Sequence, residues 1–254
     1  MNRPTLLLIA HGSRDPRHAA TAWSLREQLR ARPDAPRVEL GFLEFNAPSV
    51  PGLLERLWHE GEREVVALPW LLTHAYHSKT DIPGVLRQSC ARLPGLTVTR
   101  AGVLGPHPLL VSALERRLGE AGHGHDRSGT GVVLAAAGTS DPRAAAVIGE
   151  VAEDWARSGG WYAVRPAFAT GSPPYGAPEE AVTALRARGA SRVVVAPYVL
   201  APGRLPDRIV ASARRAGADG VAEVLGAGPE LVDLTLHRYT AARASRRVGT
   251  AASA

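Results

Sequence analysis

Cysteine is nearly absent: Cys90 stands alone in 254 residues. That excludes an internal disulfide framework and any metal or cluster site built from thiolates alone. Lysine is as scarce, since Lys79 is the only one and every other of the 30 basic residues is arginine. Aromatic residues make up 5% of the chain, too few for an extended base-stacking surface. No apolar run approaches the roughly 18 residues that a membrane span needs. The short run in MNRPTLLLIAHGS passes into His and Gly where a secretory leader would continue to a small-residue cleavage site. The expectation is a soluble, cytoplasmic protein that uses neither membrane nor nucleic acid.

The 30 basic residues stand against 24 acidic ones, a formal charge of +6. An arginine excess fits nucleic acid, a polyanionic small molecule or a coding bias. Here the arginines are scattered without a dense cluster. At 45% hydrophobic and 21% charged residues the composition is that of an ordinary globular chain, long enough for one large domain or two of about 125 residues.

Apolar runs are short and bounded by turn residues. Thr5–Ala10, Val38–Phe45, Glu64–Leu72 and Thr97–Val103 read as strands, too short for helices and rich in Leu and Val. Between them lie amphipathic stretches at Arg17–Arg32, Val50–Glu60, Asp81–Ala91 and Pro108–Ala121. Four strand–helix alternations in about 120 residues predict a parallel sheet flanked by helices. The pattern then restarts, with strands at Gly131–Ala136, Tyr162–Phe168, Arg192–Leu200 and Gly220–Leu225. Helices are expected at Asp141–Arg157, Ala177–Arg188, Leu205–Ala216 and Glu230–Ala244.

The restart is also a sequence repeat. AHGSRDPRHAA at 10–20 matches AAGTSDPRAAA at an offset of 126, which also pairs Phe42 with Phe168. VVALPWLL at 65–72 matches VVVAPYVL at an offset of 128. Two tandem α/β domains follow, expected to face each other across a cleft: 1–121, a polar Gly-rich linker at 122–130, a duplicate at 131–244, and a frayed tail at 245–254. Asp15 and Asp141 are expected to cap helices that begin with Pro16 and Pro142, with Gly12 and Gly138 serving tight turns.

Ligands of open parallel sheets sit at the carboxyl ends of the strands. There the sequence places His11 after the first strand, Glu44 near the end of the second and His77 after the third, at spacings of 33 and 33 residues. Any one alone is more often a loop or salt-bridge residue. Two imidazoles and a carboxylate on successive strand ends suit a divalent metal with open positions. His74 competes with His77, and spacing does not choose between them. The duplicate acts as an internal control: it has Ala137 for His11, Thr170 for Glu44 and no His between Pro197 and Ile209, yet keeps Gly138, Asp141 and Pro142.

AHGSRDPR, FLEFNAPSV and LPWLLTHAYHSKTDIP together resemble the sirohydrochlorin chelatase family, the class II chelatases of the CbiX/SirB type. The likeness is strong in the first half, and the second half resembles the degenerate duplicate of two-domain members. It implies a pair of flavodoxin-like domains and insertion of Co²⁺ or Fe²⁺ into sirohydrochlorin, for sirohaem or cobalamin biosynthesis. The family's ligand is the His four residues before the Asp of DIP, which selects His77; the usual Gly two residues before it is Ala75 here. By the same resemblance His11 is a metal ligand and proton acceptor, and Glu44 the acidic ligand that helps it. Ser13, Arg14, Thr73, Ala75, Tyr76 and Lys79 are expected against the substrate.

Arg17, Arg143 and Arg204 are further candidates for its carboxylates, and Trp70 and Tyr198 for the ring pocket, although core packing accounts equally for Trp70. The metal is substrate, no cofactor is permanently bound, and the fused halves make a monomer plausible. Alternatives are a metal or tetrapyrrole carrier of the same fold, or a chelatase for another metal such as Ni²⁺. A phosphoryl-transfer enzyme is disfavoured, because Ala10 stands where an Arg would hold phosphate beside the His, and no nucleotide P-loop is present.

Overall fold

The computed structural model describes residues 3–73, 81–170 and 174–251. Two compact units emerge, one from Met1–Gly105 with Leu231–Ala254, the other from Pro106–Glu230. In the first, strands β1 (Thr5–Ala10), β2 (Val38–Phe42), β3 (Glu64–Pro69) and β4 (Thr97–Arg100) form one sheet in the order β2-β1-β3-β4. All its pairings are parallel. Helices α1 (Pro16–Arg30), α2 (Val50–His59) and α3 (Ile82–Arg92) are the crossovers.

β1 is buried along its whole length, as a central strand covered on both faces must be. Leu7 and Ile9 pack with Leu53, Leu54 and Leu57 of α2 and Ile82 and Leu86 of α3. Leu6 and Leu8 point to the other face by strand alternation. The one charged residue buried in this sheet, Glu39 on β2, accepts from Arg37 at 3.1 Å, Arg56 at 3.1 Å and Arg26 at 3.3 Å. A buried carboxylate needs such partners.

The second unit repeats the plan. Helix α4 (Pro108–Glu120) precedes β5 (Thr130–Ala136), α5 (Pro142–Gly159), β6 (Ala163–Phe168), α6 (Pro178–Ala187), β7 (Arg192–Tyr198), α7 (Arg204–Arg215) and the short β8 (Gly220–Val221). The sheet order is β6-β5-β7-β8, again parallel throughout. Val133, Ala135, Val193 and Val195 pack with Leu185 of α6 and Ile209 of α7.

Caps explain where α1 and α5 start. The Asp15 carboxylate accepts from the Arg17 N–H at 3.0 Å, and Asp141 accepts from the Arg143 N–H at 2.9 Å. Pro16 and Pro142 occupy the first helical turn, where a missing N–H costs nothing.

The spatial units depart from the sequence repeat at their final helices. α4, encoded at the end of the first half, packs on β7 of the second unit. Most of α8 (Pro229–Ala251), encoded at the end of the second half, belongs to the first unit. There the Tyr239 hydroxyl donates to the Pro4 carbonyl at 2.7 Å, and Arg238 donates to the Leu104 carbonyl at 2.9 Å. The compact units therefore change at Gly105/Pro106 and Glu230/Leu231, whereas the sequence expectation of 1–121 and 131–244 follows the repeat. α8 also continues to Ala251, past the Ala244 at which that helix was expected to end.

Candidate metal and substrate site

The strands end earlier than the apolar runs suggest. β2 stops at Phe42 and β3 at Pro69, so Glu44 lies in the loop after β2 and not within the strand. His11 follows directly on β1, and β1 lies between β2 and β3. That makes His11 central at the carboxyl edge, with the Glu44 loop on one side and the segment after β3 on the other.

Four contacts lock the first two loops together. The Leu43 N–H donates to the Ala10 carbonyl and the Glu44 N–H to the His11 carbonyl, both at 3.0 Å. The Ser13 N–H donates to Asn46 Oδ1 at 2.8 Å. Gly12, at φ 92°, lets the chains meet: a Cβ there would lie 1.9 Å from the Glu44 carbonyl oxygen. Ser13 Oγ accepts from the Asp15 N–H at 3.0 Å, tying the loop to the cap of α1. Its own O–H proton remains for a ligand acceptor.

Beyond Glu44 the chain turns sharply. The Asn46 N–H donates to the Glu44 carbonyl at 2.7 Å across Phe45, whose φ is 61°. This is a γ-turn with a non-glycine residue at its positive-φ centre, a rare and strained conformation. Glu44 is left exposed and His11 half-buried, so both are open to a ligand from solvent. Asn46 and Phe45 shape the loop that carries Glu44, and sequence reasoning did not single them out. The available signal was an Asn two places after the carboxylate, a residue type that bonds backbone in turns.

The second unit preserves the scaffold without the imidazole and the carboxylate. Gly138 has φ 129°, and a Cβ there would lie 2.1 Å from Thr170 Oγ1. The Asp141 N–H donates to Thr139 Oγ1 at 3.1 Å, as Asp15 does to Ser13. Ala137 and Thr170 stand in the places of His11 and Glu44.

Other expected residues fall out differently. Arg17 is tied to Asp15, with Nη2 2.6 Å and Nε 3.0 Å from the carboxylate, so it is a capping partner and not a free substrate arginine. That pairing holds the Asp15 carboxyl below its ordinary range. Tyr198 is 2% exposed, and burial drives its phenol well above its usual pKa, so it is a core residue and lines no open ring pocket. Trp70 is equally buried. Arg14, Arg143 and Arg204 are exposed, and Thr73 is half-buried. His74, Ala75, Tyr76, His77 and Lys79 lie outside the described residues. Among the described residues no three His, Cys, Asp or Glu side chains converge on one point.

His18, on the first turn of α1, meets Trp70 edge-on at 5.5 Å between ring centroids. Burial, then the neighbouring His11, push its pKa below 6.5, with Asp15 opposing weakly. Below pH 6.5 the unfolded chain therefore takes up this proton first. The stability His18 leaves intact above that pH should decline as pH falls towards the lowered value. Urea titrations at pH 7.5 and 5.5 check this: His18→Leu is expected to show a smaller acid loss than the unmodified chain, and an equal loss would count against it.

Fold and site define a class: a doubled, parallel α/β protein of chelatase-like architecture, with an imidazole and a carboxylate at adjacent strand ends of one unit. The chain belongs to the CbiX family, whose model matches residues 5–121 and 131–242. It is 28% identical over 208 residues to a sirohydrochlorin cobaltochelatase of Priestia megaterium, covering 81% of this chain and 67% of that protein. With a sirohydrochlorin ferrochelatase of the same organism it shares 26% over 204 residues, 80% of this chain and 76% of that one.

A sirohydrochlorin cobaltochelatase of Methanococcus aeolicus is 33% identical over 81 residues, 32% of this chain, and the match spans 57% of that protein's length. SirB from Bacillus subtilis, solved with Fe³⁺, shares the fold with a TM-score of 0.85 at 24% identity, over 96% of this chain and 97% of that one. Among the described residues no helix is long and apolar enough to cross a membrane.

Proposed function

We propose that this protein inserts a divalent metal, Co²⁺ or Fe²⁺, into sirohydrochlorin, in sirohaem or cobalamin biosynthesis. The observation that carries the reading is the locked pair of loops that presents His11 and Glu44 at adjacent strand ends, in the unit that keeps them and not in the one that lost them. The named activities of the relatives support it.

The reaction takes a free macrocycle and M²⁺ to the metallated ring and two protons. The ion is substrate and must be released into the ring. Neutral imidazole and carboxylate at open positions allow that better than a closed thiolate cage. In this reading His11, Glu44 and His77 hold the ion. His11 takes a pyrrole proton, for which imidazole has a suitable basicity near neutral pH. Glu44 orients the ion or takes the second proton. Ser13, Arg14, Thr73, Ala75, Tyr76 and Lys79 contact the substrate, the charged ones through its carboxylates. In this reading the enzyme is soluble and cytoplasmic, its fused halves stand in for a second subunit, and no cofactor is permanently bound.

Anaerobic absorbance of sirohydrochlorin with substoichiometric protein tests this. The expected result is multiple-turnover metallation with Co²⁺ or Fe²⁺ above the spontaneous rate, lost in His77→Ala and kept in His74→Ala. Stoichiometric binding without turnover would replace the reading with a carrier.

A further inference from the structure

This inference rests on the proposed function and concerns Phe45. Phe45 is 55% exposed, the most of any large hydrophobic residue among the described residues. Its backbone sits at φ 61°, which side-chain-bearing residues rarely adopt and which a glycine or an asparagine at this position would occupy with less strain. Folding gains nothing evident from an aromatic here, since the ring is neither buried nor placed on a favourable backbone. Strain of this kind persists where a site over-determines it.

The surroundings show what the turn presents. The His11 ring meets Phe45 nearly edge-on, at 6.4 Å between centroids and 80° between planes. The Arg14 guanidinium carbon lies 5.5 Å from the centre of the Phe45 ring. One short stretch thus displays an imidazole, an aromatic surface and a cation, and the aromatic is fixed by the same γ-turn that carries Glu44. A flat conjugated macrocycle with ionised carboxylates around its rim matches that set. Aromatic surface receives the ring, and guanidinium receives a carboxylate. Arg14 is also pre-positioned by its cation–π contact with Phe45.

We propose that Phe45 is a substrate-contact residue that packs against the tetrapyrrole ring beside His11 and holds Arg14 in place for a rim carboxylate. It acts on ring binding and specificity, not on the metal.

Phe45→Gly separates this from a structural role, because glycine is at home at the observed φ. Fluorescence titration of metal-free sirohydrochlorin should show affinity about tenfold weaker than that of the unmodified protein, within the range that aromatic stacking supplies. Calorimetric Co²⁺ affinity without the ring should stay within about twofold, and the Tm should hold or rise. Phe45→Tyr should restore ring binding. Arg14→Ala should weaken it too, and the double variant should lose less than the two effects combined.

Ring affinity unchanged in Phe45→Gly would overturn the proposal, as would a loss matched by an equal loss of Co²⁺ affinity. The readout is binding and not turnover, so the two readings fail separately. An unmodified protein that binds the ring without metallating it would sink the chelatase reading alone. One that does not bind the ring would sink both.

Discussion

His11→Ala should abolish metal insertion while leaving the fold nearly intact. Two functions meet on this side chain in the proposed mechanism, metal ligand and proton acceptor, and a positioned general base alone contributes about 10²–10⁴-fold. The expected loss of turnover is therefore at least about a thousandfold, to the spontaneous rate. Stability should change little, because the bond from the Glu44 N–H is accepted by the main-chain carbonyl of residue 11, which alanine retains. Alanine is also what the duplicate carries at the matching place, Ala137, on an otherwise similar loop. Multiple-turnover metallation assays paired with thermal melts check the prediction. Retention of a tenth of the activity, or a melt that collapses together with it, would remove His11 from its central role.

Gly12→Ala carries the second large effect, and it acts through the backbone. The new methyl would sit 1.9 Å from the Glu44 carbonyl oxygen and 2.9 Å from its carbon, and main-chain atoms cannot rotate out of the way. At φ 92° an L side chain is strained as well. Relief requires the two loops to part, which endangers the bonds from Glu44 N–H to His11 and from Ser13 N–H to Asn46. Strain of about 1–2 kcal/mol with two hydrogen bonds of about 1 kcal/mol each gives a loss near 3 kcal/mol. Activity should fall at least about a hundredfold, because proton transfer and metal capture depend on sub-ångström placement.

Gly138→Ala is the matched control. Its methyl would lie 2.1 Å from Thr170 Oγ1, a side-chain atom that can rotate away. That variant should lose some stability, from a φ of 129°, and keep its activity. Equal activity losses in the two would contradict the assignment of chemistry to the first unit.

Much of this was legible in the chain. Strand–helix alternation, caps at Asp15 and Asp141, and the glycines before them are local signals, set by propensity and by sterics within a few residues. The repeat separated scaffold from candidate site residues, because one copy has Ala137 and Thr170 where the other has His11 and Glu44, yet keeps Gly138, Asp141 and Pro142. Strand ends were over-extended: apolar residues beyond Phe42 and Pro69 look like strand, but pairing with the neighbouring strands stops there. Arg17 stood among several candidates for substrate carboxylates, because the sequence does not say that the Asp two places earlier holds it.

What the sequence determined by itself was the α/β class, the duplication, and which residue types stand at the strand ends, since period, caps and spacing are properties of the chain alone. Tertiary structure decided the rest. It put α4 on the second sheet and α8 with the first, because an amphipathic face needs an apolar surface and does not specify which of two similar ones. It buried Tyr198 and exposed Phe45, two aromatics that nothing local distinguishes. It also forced Gly12 against the Glu44 carbonyl, a contact between loops 32 residues apart that exists only once β1 and β2 pair in register.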